Sequence, residues 1–438
     1  MKKILSLICI FAAIVGSSFA NSIFTKRYFE IFANVPVDLS NNAMTLEDIF
    51  FTGDGKVILD LADFESIPDS GFNISLNSKP AAGFKLDIPK GLVFGASAGA
   101  DISSTILFSK DFFTLLSSGY ETGDELVLKA KKFDADVFAF IQTDLGWNTK
   151  KASLVFHPSV FVPLIHAAPD NVSAILQNTE DGKFIVDAYA DFSIFTNSDI
   201  SSDGKFSMET FGTDLSGAAK SSLGFDLGVD YSWDIFSFLT VGAGARIPLK
   251  PGKLTKRTSM TYEMHYEVSA ADLISKSSAD EDSETTEEEI SEETTDEESG
   301  NKPQFTDTID LGDDYYRINR PLKFYVNANL HPFGDFLSAY GKLGFTAKHA
   351  FEPTFKSEDF LDNFYIDYLL GGRVSLIGMI NLDISTERTD QIYAHKAALD
   401  LNFRLVEVGA GVSLASSSFL KSFAATGIGV FVNVAVGI

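Results

Sequence analysis

Hydrophobic and polar residues alternate strictly at the end of the chain. From Ile428 to Ile438 every even position is Ile or Val, whereas the odd positions are mainly Gly, Asn or Ala, with Phe431 as the exception. Because successive side chains of a strand point to opposite faces, this pattern predicts a strand with one β-branched face and one small or polar face. A transmembrane strand needs roughly 9 to 11 residues, so the segment is long enough to cross an outer membrane.

The same alternation recurs throughout the second half of the chain. In each repeat the apolar face carries no charged residue, although 22% of all residues are charged. A period of two that is sustained in this way indicates strands rather than helices. The predicted strands of this half are 222–233, 239–250, 322–330, 337–348, 365–377, 380–387, 396–405 and 406–414.

The first half is less regular. Residues 103–132 are expected to form a long loop that carries a short helix, and residues 45–64 mix apolar and acidic side chains without a clean period. We therefore expect a small helical or plug element within 38–78, inside or below the main structure. A weaker strand at 205–212 is needed if the strand number is to be even. The other predicted strands of this half are 28–37, 84–88, 92–102, 133–143, 152–163 and 183–195.

Two environments are compatible with an apolar face on every strand. A soluble sandwich hides that face between two sheets, whereas an outer-membrane barrel turns it toward lipid. The predicted strands are longer than the roughly five or six residues usual in globular proteins. Short turns also alternate with long connections, and the opposite faces combine glycine with charges of both signs. The pattern therefore predicts an all-β fold, a transmembrane antiparallel up-and-down β-barrel of about 14 strands within a range of about 12 to 16.

The alternation of short and long connections also orients the predicted barrel. The short turns at 234–238, 331–336 and 377–379 fall on the side where the last strand ends, which is the periplasmic side in such barrels. Trp147 and Trp233 then lie near the periplasmic interface, where amphipathic aromatic rings are favoured.

The N-terminus predicts export. Lys2 and Lys3 precede a largely apolar run from Ile4 to Val15, and Ser18-Phe19-Ala20 provides a small-x-small cleavage site. We therefore expect residues 1–20 to be a signal peptide cleaved after Ala20, and residues 21–438 to form a barrel in the outer membrane. The single cysteine, Cys9, is removed with this signal, which excludes disulfides and thiolate sites in the mature chain.

Negative charge is concentrated in one tract. The chain has a net charge of −25, and Asp280–Glu298 holds twelve acidic and no basic residues. Because Ser and Thr are interleaved with the acidic residues, we predict that 275–302 form a disordered, solvated loop on the outer side. The tract lacks the glycine turn and fixed ligand spacing of a calcium-binding loop. The acidic balance also disfavours binding to nucleic acid.

The polar face of the predicted strands supplies the candidate functional residues. In a barrel this face lines the lumen, where charged side chains tune the passage of solutes or pair with an inner plug. Both signs occur in nearly equal numbers, which argues against strong selectivity from a simple field. The lumen-facing candidates are Asp226, Asp230, Arg246, Lys250, Lys323, Lys342, Asp367, Arg373, Asp383, Lys396, Asp400 and Arg404.

No sequence pattern indicates catalysis, a metal or a cofactor. The six histidines show no metal-ligand spacing, and none groups with a nucleophile along the chain. The pairs Gly242/Gly244 and Gly409/Gly411 lie inside alternating strands with no following helix, unlike a dinucleotide-binding loop. The sequence therefore predicts a protein that is not an enzyme and holds no catalytic residue, metal ligand or cofactor.

Several segments resemble bacterial outer-membrane β-barrels. The aromatic turns followed by Leu239–Ala245, and the run Val408–Val412, are similar to those of such barrels. The N-terminal layout of Leu46–Phe50, Val57–Phe64 and Asp69–Phe72 is similar to uncharacterised spirochaete-type barrel proteins. A looser likeness reaches the long-chain fatty-acid transporter barrels, the FadL-like proteins.

The resemblance implies outer-membrane lipid, the insertion machinery and periplasmic chaperones as partners. Many such barrels end in an aromatic residue that the insertion machinery reads, whereas this chain ends in Ile438. The predicted function is porin-like passive transport of small or hydrophobic solutes, because a barrel of this size has a wide polar lumen. The alternative is a non-transporting structural or surface-interaction barrel, similar to an adhesin. A fatty-acid transporter further predicts an apolar pocket reached from outside by the loop 103–132.

Overall fold

A computed structural model defines the fold of the chain. The residues that it describes are 27–42, 71–110, 125–179, 183–199, 201–202, 205–206, 222–269, 304–306, 308–334, 336–350, 352, 363–376, 378–389, 392–403, 405–424 and 426–438. The predicted signal peptide, most of the predicted inner element, the acidic tract at 275–302 and Arg404 lie outside these ranges. Among the described residues, no helix combines the length and hydropathy needed to span a membrane.

Nearly all of the regular structure in the described residues is β-strand. Two short 3-10 helices, Gly312–Asp314 and Lys421–Ala424, accompany the strands. The strands are β1 Phe29–Asn41, β2 Phe72–Ser78, β3 Ala81–Asp87, β4 Leu92–Phe108, β5 Glu125–Asn148, β6 Ala152–Asn178, β7 Lys183–Thr196, β8 Ser201–Ser202, β9 Lys205–Phe206, β10 Gly224–Phe236, β11 Leu239–Lys250, β12 Gly252–Leu254, β13 Lys256–Ser269, β14 Gln304–Phe305, β15 Ile309–Asp310, β16 Tyr316–Ile318, β17 Leu322–Leu330, β18 Leu337–Ala347, β19 Phe364–Leu376, β20 Ile380–Thr389, β21 Ile392–Asn402, β22 Val406–Ser416 and β23 Gly427–Gly437.

The main sheet closes on itself through its first and last strands. β1 pairs antiparallel with β23 from Glu30↔Gly437 to Ser40↔Gly427, and every other neighbouring pair is also antiparallel. Strands that follow each other in sequence are neighbours around the wall, so the sheet is an up-and-down meander. Closure removes the exposed strand edges that an open sheet of this size would carry. The predicted closed antiparallel barrel of 14 strands is confirmed.

Some of the 14 wall positions are filled by broken strands. The two halves β2 and β3 both pair with β1 and with β4, and they are separated only by Lys79 and Pro80. Likewise, β6 pairs with β7 along 165–178 and with β10 along 152–161, so β7 and β10 form one interrupted position. The next two positions contain β11 with β13, and β17 with β14 and β15.

The observed strands correct three sequence-based predictions. The segments 183–195 and 222–233 are two parts of one wall position, so an even strand number does not depend on 205–212. The described part of 205–212 is β9, which pairs with β8 outside the main sheet. The predicted loop 103–132 is wrong at both ends, because β4 continues to Phe108 and β5 begins at Glu125. The pairing of β4 with β5 continues to Phe108 and Ala130, beyond the residues in which apolar and polar side chains clearly alternate.

The predicted inner element also changes its bounds. Residues 38–41 are the end of β1, and 72–78 are β2, so both parts of the range 38–78 belong to the barrel wall. The interior of that range, 43–70, lies outside the described residues.

The two ends of the barrel differ. At one end, which we call the short-turn end, each hairpin closes within a few residues, and backbone hydrogen bonds link neighbouring turns around the rim. For example, Asn148 N donates to Gly91 O at 2.7 Å, and Tyr28 N donates to Ile438 O at 2.6 Å. The opposite end, the long-loop end, carries the long connections. Trp147 and Trp233 lie beside the short turns and are 60% and 46% exposed.

The wall is apolar outside and polar inside. On β23, Ile428, Val430, Val434 and Val436 are exposed, whereas Asn433 and the glycines on the opposite face are buried. An exposed band of large apolar side chains around a closed sheet is the lipid-facing surface of an outer-membrane barrel. The buried side chains of the inner wall are largely hydroxyl, amide and charged groups, in contrast to the core of a soluble protein.

Candidate functional site

Three adjacent wall positions break at the same level, and the chain turns into the lumen there. β12 and β16 form a short antiparallel pair at these breaks. Leu254 and Ile318 from this pair are fully buried against Phe138 and Phe161 of the inner wall. Asn197 ties the breaks together, because its amide donates to Pro163 O and Lys253 O at 3.0 and 2.9 Å. We call residues 252–254 and 316–321 the inner strap.

Arg320 extends from the inner strap across the lumen. Its guanidinium donates to Asp226 Oδ2 at 2.9 Å and to Ser159 Oγ at 3.1 Å, and it lies 3.6 Å from Asp101 Oδ2 on β4. The guanidinium carbon lies 4.4 Å from the centre of the Phe140 ring, a favourable cation–π arrangement. Arg320 is 3% exposed. It therefore joins the strap to strands that are several wall positions away.

A second segment folds inward from the end of β18, the strand next to β17 in the wall. Residues 348–350 and 352 follow β18, and Lys348 Nζ lies 3.8 Å from Asp134 on β5. Asn319 of the inner strap donates its backbone N–H to Glu352 Oε1 at 2.9 Å and its amide to Ala350 O at 3.3 Å. The two inward segments therefore form one layer across the lumen near the long-loop end, which we call the constriction.

His349 lies at the centre of the charged side of the constriction. Its Nε2 lies 3.7 Å from Asp134 and 3.9 Å from Asp136, and its Nδ1 is 3.2 Å from Glu352 Oε2. Burial disfavours the charged imidazolium, but the contacts with Asp134 and Glu352 outweigh it and raise the pKa of His349 well above its ordinary value. The backbone of His349 has a φ of 54°, a left-handed conformation that is uncommon for a residue other than glycine.

The lumen on the short-turn side of the constriction is more open. The side chain of Asp230 is 45% exposed, although it contacts His157 and accepts a hydrogen bond from Tyr325. Asn327 on the inner face of β17 is also exposed. Water therefore reaches the inner wall on this side, whereas Asp226 and Arg320 in the constriction are almost fully buried.

Most of the sequence-predicted lumen residues line the inner wall in local pairs. Arg373 Nε donates to Asp383 Oδ2 at 2.9 Å, and the guanidinium lies 3.6 Å from Asp400 on the next strand. Lys396 contacts Glu387 at 2.8 Å and Asp38 at 3.3 Å. Arg373, Asp383 and Asp400 lie on the successive strands β19, β20 and β21, whereas Asp38 lies on β1, three wall positions from Lys396.

The remaining predicted residues are distributed between the constriction and the wall. Asp226 contacts Arg320, and Arg246 lies 3.6 Å from Asp101, so both belong to the constriction. Lys342 lies 3.8 Å from the centre of the Tyr325 ring, and Asp367 accepts a hydrogen bond from Thr346. Lys323 is half-buried at the start of β17, and Lys250 is exposed at the end of β11.

Sequence reasoning missed the residues that close the lumen. Arg320 and His349 lie outside regular strands, so no alternation indicates the direction of their side chains. Asp134, Asp136 and His166 lie on strands, but their proximity depends on the register Asp136↔His166 between β5 and β6. The sequence offered one indication of this cluster. Asp134 and Asp136 alternate with the apolar positions 133, 135 and 137, so both carboxylates are expected to face the lumen.

A cavity of about 540 Å³ lies beside the constriction toward the long-loop end. Its lining combines aromatic and apolar side chains with arginines and one carboxylate. The residues that line it are Phe195, Arg257, Leu311, Asp314, Tyr315, Tyr316 and Arg317. None of these residues lies in 103–132, the loop through which a fatty-acid transporter was expected to give access to an apolar pocket. Residues 111–124 of that loop lie outside the described residues.

The chain is similar in fold to solved outer-membrane transport barrels. The Pseudomonas putida toluene transporter TodX matches over 97% of this chain and 95% of TodX, at 7% identity and a TM-score of 0.44. The CymD monoaromatic hydrocarbon channel matches over 94% and 89%, at 8% identity and a TM-score of 0.43. A Pseudomonas aeruginosa FadL homologue matches over 93% and 89%, at 10% identity and a TM-score of 0.38. Similarity of this degree carries no information about cargo.

No protein-family model matches the chain, and no curated protein matches it. The resemblance to spirochaete-type barrel proteins therefore receives no support from these comparisons.

Proposed function

We propose that this barrel is a gated outer-membrane pore through which small solutes diffuse. The proposal rests on a difference in accessibility between the two ends of the lumen. The inner wall is polar and accessible from the short-turn end, and it is crossed near the long-loop end by two short segments held through side-chain contacts. Leu254 and Ile318 anchor the inner strap to the wall through apolar contacts, whereas the contacts across the lumen are mainly hydrogen bonds and ion pairs. These polar contacts can open while the apolar anchor stays packed.

Electrical recording tests this function directly. Purified, folded protein in planar lipid bilayers is expected to give discrete channels that switch between a closed and an open level, because the constriction must open for ions to pass. Protein unfolded by boiling before addition serves as the control. Folded protein that never conducts would instead support the alternative, a structural or surface-interaction barrel. In that case the constriction would keep the lumen permanently closed.

We further propose that the preferred solutes combine a small aromatic or apolar body with a negative charge. The lining of the cavity beside the constriction includes the rings of Phe195, Tyr315 and Tyr316, which give it apolar surface for a small aromatic body. Arg257 and Arg317 supply the charge that would pair with an acidic group. The cavity volume is within the range of about 300–1,000 Å³ that is usual for small-molecule sites.

Uptake by vesicles that contain the protein tests this preference. Benzoate is expected to enter faster than benzylamine, which has the same ring and the opposite charge. The double substitution Arg257→Gln and Arg317→Gln is expected to remove most of this difference, because both cations of the cavity are lost. Equal rates for the two solutes in the unmodified protein would contradict the proposed solute class and leave the pore itself unaffected.

A further inference from the structure

We propose that Asp134, Asp136, His166 and His349 form a binding site for a zinc-class divalent metal ion, where residues 348–350 meet the barrel wall. Two imidazoles and two carboxylates are a donor set that such ions favour. The site is independent of what passes through the pore.

The wall supplies three of the four donors. Asp134 and Asp136 are two residues apart on β5 and point to the same face, and His166 is the cross-strand partner of Asp136 on β6. One donor atom from each of the three lies within 4.8 Å of the others, and all three residues are buried. Because zinc–ligand distances are about 2.0–2.2 Å, donors on one ion lie roughly 3–4 Å apart. His166 Nδ1 and Asp136 Oδ1 lie 2.7 Å apart in a hydrogen bond, so an ion would replace the proton between them and the two atoms would separate by about 1 Å.

Asp134 independently has both carboxylate oxygens without a hydrogen-bond partner in the described part of the chain, although two cations lie near it. The residue is 7% exposed, and neither of its carboxylate oxygens has a hydrogen-bond partner among the described residues. Lys348 Nζ at 3.8 Å and His349 Nε2 at 3.7 Å lie beyond hydrogen-bond distance. A buried carboxylate without hydrogen bonds is costly, and metal coordination is one of the few ways to satisfy both oxygens.

His349 has the position expected of the fourth ligand. Its Nε2 lies 3.7 and 3.9 Å from the two carboxylates, distances that are long for hydrogen bonds but close to the separation of donors around one ion. Its other ring nitrogen faces Glu352 at 3.2 Å. A carboxylate on the distal nitrogen commonly orients a ligating imidazole. Bound metal would thus fasten the second inward segment to β5 and β6.

A second histidine in the lumen provides the comparison. His157 also contacts two aspartates, but its Nδ1 lies 2.7 Å from Asp144 and its Nε2 lies 3.1 Å from Asp230. Each ring nitrogen therefore has its own carboxylate, and the two carboxylates lie on opposite sides of the ring. Because the two carboxylates cannot converge with one nitrogen on a single ion, His157 is a matched control.

Zinc titration of the folded protein in detergent, after treatment with a chelator, tests the site. Calorimetry is expected to show one zinc ion per chain. The substitutions Asp134→Asn and His349→Gln remove ligands and are expected to abolish this binding. Glu352→Gln is expected to weaken it by about 10- to 100-fold, as for other residues that orient a ligand. His157→Gln is expected to leave zinc affinity unchanged.

Cobalt should give the visible absorption of a four-coordinate site, and His166→Gln should remove that band.

Each variant is first shown to be folded by its faster migration on gels without boiling. Absence of zinc binding in the unmodified protein would overturn the site, and so would undiminished affinity in folded Asp134→Asn and His349→Gln. The cluster would then be an ion-pair network in which the His349 imidazolium is the cation. Since the readout is binding, a barrel that does not conduct leaves this test valid.

Discussion

The substitution Val326→Arg is expected to destabilise the inserted barrel strongly, whereas Asn327→Arg on the next residue is expected to have little effect. Val326 lies in the middle of β17, faces outward and is 57% exposed. An arginine on the lipid-facing surface near the membrane midplane costs about 2–4 kcal/mol. That cost is a large fraction of the roughly 5–15 kcal/mol of stability that folded proteins have.

Asn327 is the matched control because it is adjacent in sequence and lies on the opposite face. Its side chain is exposed to the lumen, where water solvates an added guanidinium. Lys342 is its cross-strand partner, but repulsion between solvated charges is weak. Folding of both variants into lipid vesicles is followed by heat-modifiable migration and by urea titration. If the two variants fold equally well, the exposed apolar band does not face lipid.

The substitution Arg320→Ala is expected to open the constriction. The change removes the side chain that joins the inner strap to Asp226, Ser159 and Asp101. Two carboxylates then lose their shared cation, although Arg246 still lies 3.6 Å from Asp101. The constriction becomes wider and more negative, so conductance should rise several-fold and cations should be favoured over anions. Single-channel recording in a salt gradient measures both quantities.

Arg373→Ala is the control for this substitution. Arg373 is also a buried arginine between two carboxylates, but Asp383 and Asp400 lie on neighbouring strands of the same wall. Its removal leaves the inner strap and residues 348–350 in place, so channel conductance should change little. A folded Arg320→Ala variant with unchanged conductance and selectivity would show that Arg320 does not control passage.

The alternation of residue types carried most of the information about the wall. Strand side chains point alternately to the two faces, so Ile428 to Ile438 revealed both the strand and its lipid-facing side. Lumen-facing residues such as Arg373 and Asp400 followed from the same periodicity, because their outward neighbours are apolar. The mixture of paired charges on the inner wall was visible at this stage, although the partners of each charge were not.

The pattern did not show which predicted segments share one position in the barrel wall. The segments 183–195 and 222–233 both alternate, yet they are two parts of one wall position because each pairs with a different half of β6. Pairing depends on contacts between residues distant in sequence, and a local period of two contains no information about them. The expectation of a strand at 205–212 arose from this limit.

By itself, the sequence of this protein determined an antiparallel membrane barrel, the face that meets lipid and the polar character of the lumen, because these properties depend on local periodicity. The tertiary structure alone decided that the lumen is crossed, since Arg320 and His349 lie outside strands and meet their carboxylates only after β4, β5, β6 and β10 are assembled around them. The direction of a loop side chain is set by the groups that surround it, and those groups come from remote parts of the chain.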